Sequence, residues 1–208
     1  MGKKKQRKLE SAGGSSPGAD EMDQSADKPP PPPATEEPAA DEAETRSRRA
    51  FFGRSGHLAV MSEFLHRRIN VAIPEVDVGD DVFVVKGTDE TVTRVQVKAA
   101  MAEDQTDSYA AQFNVPLAQL RVPNDTPSLV YVFAVRHLNR WSDFVVIRRS
   151  RLFELHENEG AGSRFVDSRG NLSVHFRIVF RESTAWCNPA QAIDFQPYRD
   201  AWEPWPPR

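Results

Sequence analysis

Cysteine occurs once, at Cys187, so the chain can close no disulfide on itself and can build no cysteine zinc cluster. That suits a reducing compartment, and the expected localisation is cytoplasmic. Long apolar runs are missing too. Nothing approaches the roughly 18 apolar residues of a membrane span. No apolar stretch follows Lys3, Lys4, Lys5, Arg7 and Lys8 to make a secretory leader. Neither secretion nor a membrane partner is expected. Residues 1–49 contain no Phe, Tyr, Trp, Ile or Val. A segment so poor in apolar surface cannot offset the entropy of ordering itself. A disordered tail is therefore expected over residues 1–49 and a folded domain over 50–208, beginning where Phe51 and Phe52 open the first apolar cluster.

Nucleophile elbows, P-loops and dinucleotide glycine patterns are absent, which removes the sequence basis for acyl transfer, nucleotide hydrolysis and nicotinamide chemistry. A basic excess is also lacking. The net charge is -3, and residues 50–208 carry 18 Lys and Arg against 20 Asp and Glu. Phosphate neutralisation dominates nucleic-acid affinity, so this balance weighs against tight DNA binding while leaving room for a local basic face.

The tail offers a basic head, the proline run Pro29 to Pro33 and an acidic section through Glu44 before Arg46, Arg48 and Arg49. The proline run is expected to be a stiff extended spacer. The tail reads either as a solubilising leader or as a segment that binds a protein or nucleic-acid partner.

In the domain, Leu58, Met61 and Leu65 recur at helical spacing over Ser55 to Arg68, with Val60 and Phe64 widening the stripe and Ser55 as N-cap. Short strands are expected at Val71 to Ile73, Asp81 to Lys86 and Thr91 to Ala99, the last two forming a hairpin. The polar stretch from Ala100 through Ser108 reads as a loop, and Gln112 to Leu120 is ambiguous because Pro116 interrupts it. Leu129 to Val135, Phe144 to Ile147 and the alternating Leu172 to Phe180 read as strands, Arg151 to Leu155 as a short helix, and Trp202 to Pro207 as an irregular cap. Arg148, Arg149 and Arg151 form the densest basic cluster of the domain and read either as phosphate contacts or, the favoured expectation, as a solvated helix start.

Chemistry concentrates in one place. Asp81 opens one arm of the hairpin, while Gln96 and Lys98, two residues apart in VQVK, share one face of the other arm. A carboxylate and an amide oxygen are hard ligands suited to Mg2+, and a lysine beside them can orient water and stabilise charge on phosphate. The other histidines, His66, His137, His156 and His175, show no metal-ligand spacing.

At these residues the chain resembles the PD-(D/E)xK, or restriction-endonuclease-like, nuclease superfamily in its Gln-x-Lys variant. The order matches: a glycine-led helix at Gly53 to Arg68, Asp-x-Gly-x-Asp at Asp77 to Asp81, then Gln-x-Lys at Gln96 to Lys98. The resemblance implies an α/β domain with a central mixed sheet flanked by helices. It further implies catalytic Asp81, Gln96 and Lys98, a Mg2+ ion on Asp81 and Gln96, accessory roles for His57 and Asp77, and a DNA partner. Many members carry a glutamate in a Gly-x-x-Gly-Glu pattern, where this chain reads Gly53, Arg54, Ser55, Gly56, His57. Two functions follow: Mg2+-dependent hydrolysis of DNA phosphodiesters, or a catalytically inactive interaction module on the same fold. In either, His57 is expected to lean toward the sheet that presents Asp81 and Gln96.

Overall fold

The computed structural model describes residues 37–75, 81–85, 91–122, 128–168, 170–187 and 192–207. The expectation of a disordered tail over residues 1–49 falls outside the described residues for 1–36, as does the reading of Asp77, whereas residues 37–49 are helical. The chain divides into two units, Met1–Glu37 and Pro38–Arg208, and the second carries the fold.

Helix α1 spans Glu37–His66 and runs straight through the boundary expected at residue 49. Its first turns are built from alanine, acidic and arginine residues, among them Asp41, Glu42 and Glu44 near the N-terminus, where negative charge meets the helix dipole. Hydrophobic periodicity cannot detect a helix that buries nothing. Ser55 is consequently not an N-cap; it lies mid-helix and donates its hydroxyl to the Phe52 carbonyl at 2.8 Å. The buried seam runs through Gly56, Val60 and Phe64, whereas Leu58 and Leu65, expected on the apolar stripe, are 54% and 56% exposed.

A five-stranded sheet in the order β1-β2-β3-β6-β7 forms the middle of the domain. Its strands are β1 (Asn70–Ala72), β2 (Val82–Val85), β3 (Val92–Met101), β6 (Leu129–His137) and β7 (Arg140–Arg148). The β3–β6 pair is parallel and the other pairs are antiparallel, so the sheet is mixed. Strand β6 explains its central place, because LVYVFAV is apolar on both faces. Val130, Val132 and Ala134 join Val60, Phe64, Trp202 and Trp205 in the core beneath α1. Leu129, Tyr131, Phe133 and Val135 join a second core on the opposite face. Burying a Val, Leu or Phe side chain contributes about 1.5–3 kcal/mol, so β6 anchors both halves. As expected, the Trp and Pro-rich end packs as a cap: Trp202 and Trp205 meet Phe64 edge-on, with ring centroids 5.1 and 4.7 Å away.

The second core is closed by a sheet of which the sequence announced only the strand expected at Leu172 to Phe180. It joins β4 (Glu103–Gln105), β5 (Ser108–Pro116), β9 (Leu172–Arg181), β10 (Thr184–Cys187) and β11 (Ile193–Asp194), with β8 (Ser163–Val166) on β9. The stretch expected as a loop from Ala100 through Ser108 instead holds the end of β3, the edge strand β4 and the start of β5. Strand β4 is polar because it is an exposed edge, and the turn back to β5 uses Asp107 at φ 60°, a conformation Asp tolerates. Pro116 ends β5, and helix α2 (Leu117–Leu120) follows at once. Helix α3 covers Arg149–Glu159. The arginines at its start are not a solvated cluster. Arg149 is 3% exposed, Arg148 donates to the Pro207 carbonyl, and Arg151 donates to the Tyr198 hydroxyl at 2.8 Å. Among the described residues no helix is long and apolar enough to cross a membrane.

Asp143 on β7, 2% exposed, ties the layers together. It accepts from Tyr109 of β5 and from Arg199 Nε at 2.7 Å. Burial, the hydrogen bond to Asp143 and that carboxylate's charge push the Tyr109 phenol up to about 12. Because the folded value lies above the unfolded value near 10, stability falls as pH rises from about 10 through 12. Tyr109→Phe is expected to remove the ionisation near pH 12 from a spectrophotometric titration, and to cost about 1–3 kcal/mol in urea unfolding by leaving Asp143 short of a donor.

Gly56 sets how closely α1 lies on the sheet. A Cβ there would come within 2.7 Å of the Ala99 Cβ and 3.4 Å of Trp141, whereas a Cβ at Gly53 would meet nothing within 4 Å. Gly56→Ala is therefore expected to lower stability despite alanine's roughly 1 kcal/mol helix advantage. Gly53→Ala should raise it by about that amount, and Ala99→Gly should partly rescue Gly56→Ala. Chemical denaturation of the four proteins checks this; equal stabilisation by both alanines would mean that α1 does not pack this closely.

Candidate active site

Strand β2 stops at Val82, whereas β3, its neighbour, continues beyond that level to Met101. The mismatch leaves a notch in the sheet edge, and Asp81 sits at its corner. The Asp81 N–H still donates to the Val95 carbonyl at 3.1 Å. Its carboxylate then takes over the ladder: Oδ2 accepts the Val97 N–H at 2.7 Å. The side chain does here what a missing backbone carbonyl would otherwise do.

The alternation of VQVK distributes its residues as the hairpin reading required. Val95 and Val97 are buried with α1, and Gln96 and Lys98 share the opposite face, opposite Tyr131 and Phe133 of β6. Gln96 is 5% exposed and donates its amide Nε2 to Asp81 Oδ2. His57 approaches from α1, held there by the close packing of Gly56, and its Nε2 lies 3.5 Å from Asp81 Oδ1. Helix and hairpin thus bring His57, Asp81 and Gln96 together, with Lys98 near enough for its charge to act on Asp81. Burial pushes the Asp81 carboxyl above its ordinary value, and the opposing pull of His57, the Val97 N–H, Lys98 and Gln96 does not cancel this. Glu63 takes no part; it pairs with Arg67 at 2.6 Å.

Sequence reasoning missed Gln119. This half-buried residue of α2 donates Nε2 to Gln96 Oε1 at 2.7 Å, so a chain of amides runs from Gln119 through Gln96 to Asp81. No periodic signal could mark it, since α2 is a single turn behind a proline.

The donor chemistry can be tested against a divalent cation. Asp81 Oδ1 is a hard oxygen, and the 3.5 Å to His57 Nε2 is a separation that two ligands each about 2.1 Å from one ion can span. Gln96 turns its nitrogen toward Asp81 and its oxygen toward Gln119. It would offer oxygen to a cation only after an amide rotation, which Gln119, itself an amide, could follow by presenting its own oxygen. The set fits one divalent ion with few protein ligands. Among the described residues no group of three or more His, Cys, Asp or Glu side chains could hold a metal.

No protein-family model matches the chain, and no curated protein matches it. Among solved structures it is similar to a bacterial homing endonuclease, with a TM-score of 0.44 and 18% identity over 73% of this chain and 86% of that one.

Because Gln96 is buried, its oxygen depends on Gln119. Gln119→Leu should cost about 1–3 kcal/mol by orphaning that oxygen. Gln119→Glu, which can only accept, should reverse the Gln96 amide and turn its oxygen toward Asp81. Side-chain amide NMR shifts of Gln96 report the reversal; unchanged shifts in Gln119→Glu would mean that the Gln119 contact does not orient Gln96.

Proposed function

We propose that the notch is the centre of a metal-dependent nuclease that hydrolyses DNA phosphodiesters. The observation supporting this reading is the convergence of Asp81, Gln96 and His57 at one sheet edge, where Lys98 adds its charge. Asp81 and Gln96 would hold the ion, with His57 as an accessory nitrogen ligand. A bound divalent ion supplies Lewis-acid polarisation of a phosphoryl oxygen and a more acidic water. Lys98 contributes an ammonium whose protons can orient the attacking water and meet the charge that develops on phosphate. Burial of Gln96 and Asp81 keeps bulk water from competing for those groups.

A second reading has its own support. The cluster satisfies itself, since Asp81 Oδ2 takes two donors and the Gln96 oxygen takes a third. Position 57 also carries no negative charge. A non-catalytic interaction module could keep Asp81 solely to finish the β2–β3 ladder.

Asp81→Asn distinguishes the two, because it preserves an acceptor for the Val97 N–H while removing the charge. On the nuclease reading, Asp81→Asn and Lys98→Ala each reduce Mg2+- or Mn2+-dependent DNA cleavage at least 100-fold, an order-of-magnitude expectation for loss of a metal or electrostatic contact. Circular dichroism should be unchanged. Cleavage that is equal in wild type and both variants comes from a contaminant and favours the module. Metal selectivity gives a readout independent of turnover. An imidazole favours Mn2+ over Mg2+ relative to a carboxylate, so His57→Glu should raise Mg2+ affinity in titration calorimetry. Asp81→Asn should weaken both ions. If His57→Glu leaves both affinities unchanged, position 57 does not reach the ion.

A further inference from the structure

The net acidity of residues 50–208 conceals where the positive charge lies. Between Thr45 and Ser62 there are four arginines, Arg46, Arg48, Arg49 and Arg54, and no carboxylate. A domain starting at residue 50 leaves three of them in the tail; α1 carries all four on one continuous helix. Each is exposed. Arg48 pairs with Glu44 at 2.6 Å, at a site where both side chains are largely exposed, and such a pair is worth less than about 1 kcal/mol and yields readily to a phosphate. Arg46, Arg49 and Arg54 show no ion pair among the described residues.

Their position on the helix joins them to the notch. At three- and four-residue spacing, Arg46, Arg49, Gly53, Gly56 and His57 lie along one side of α1, the side that meets the sheet at Gly56. Beyond the sheet this side borders a groove of about 530 Å³ lined by Thr45, Arg48, Arg49, Phe52, Gly53 and Ala99. Ala99 shares its face of β3 with Val97, whose N–H Asp81 holds, and Gly53 is one turn before His57, so the groove ends at the His57–Asp81 side of the candidate site. The missing side chain at Gly53 keeps its floor open, with nothing within 4 Å of a Cβ there. Phe52 is held by Trp141 at a centroid distance of 5.6 Å, and Arg136 lies over that Trp141 ring at 5.7 Å, so the wall is aromatic and cationic.

We propose that this groove is the DNA-strand channel of the site, in which Arg48 and Arg49 take backbone phosphates and lead the strand to the His57–Asp81 side of the notch. The proposal rests on reading the notch as a phosphodiester site. From Arg49 to His57 the helix rises about 12 Å at 1.5 Å per residue, which spans three to four nucleotides at about 3.4 Å each. The groove therefore contacts phosphates next to the one at the notch, and it supplies affinity without reading sequence.

The test measures binding apart from cleavage. Fluorescence anisotropy of a labelled DNA oligonucleotide is followed over a salt series with full-length protein in EDTA. The variants are Arg48→Ala/Arg49→Ala, Gly53→Glu and, on the outer face of β9, Arg177→Ala. The double variant should bind at least tenfold more weakly, and the magnitude of its slope of log affinity against log salt should fall by about 2, one per lost phosphate contact. Gly53→Glu has room for its side chain and puts a carboxylate among the phosphates, so it should abolish binding at moderate salt with an unchanged fold. Arg177→Ala should bind as wild type. If the double variant and Gly53→Glu keep wild-type affinity and slope, or if wild type binds no DNA at any salt, the channel is wrong. Arginine-dependent binding without cleavage under any divalent ion would reject the catalytic reading and leave the channel standing.

Discussion

The approach of α1 to β3 at Gly56 and Ala99 is the contact on which the rest depends. A helix and a strand can come this close only where neither presents bulk, and the ideal Cβ distance of 2.7 Å leaves no room for a methyl group at position 56. Three things follow from that one approach. Val60 and Phe64 reach the core beneath the sheet. His57, the next residue, is brought against Asp81. The preceding turns project beyond the sheet as a row of arginines. Had α1 ridden higher on a larger side chain, the imidazole would have moved out of reach of the carboxylate, and groove and notch would not adjoin.

Asp81 shows how structural and chemical duties combine in one group. Ending a short strand beside a longer one leaves backbone donors unpaired, and a buried unpaired N–H costs roughly 1–3 kcal/mol. The carboxylate answers that need at Val97, and the same geometry aims its second oxygen at His57. Burial without a full countercharge raises its pKa, so the local energy would improve if a cation arrived. A polar cluster at a sheet edge is thus both a strand terminator and a site biased toward positive charge.

Much of this was legible in the residues. VQVK alternates, so the faces of β3 followed from period two, and the apolar run of β6 announced a strand buried on both sides. The turn of His57 toward the sheet followed from its neighbours Val60 and Phe64, even though the stripe was centred wrongly on Leu58 and Leu65. Three things were not legible. The first half of α1 buries nothing, and burial is the only signal periodicity carries, so its arginines looked like tail. Strand β4 is an exposed edge of Glu, Asp and Gln, which alone reads as loop; only its pairing with β5 makes it a strand. Gln119 joins the site through tertiary contact alone, and no local pattern could assign it.

The aromatic cap at the end of the chain bears on how the protein is made. Phe64, on the first helix, is sealed by Trp202 and Trp205, which follow the rest of the domain in sequence. Nearly the whole domain therefore separates the two sides of that core in sequence, and its closure is a contact of high order. Until Trp202 and Trp205 leave the ribosome, the apolar side of α1 has no lid, and the emerging chain exposes Val60 and Phe64 to other nascent proteins and to chaperones. The sheet can begin to pair during synthesis; the helix that positions its polar cluster is sealed only after Trp202 and Trp205 emerge.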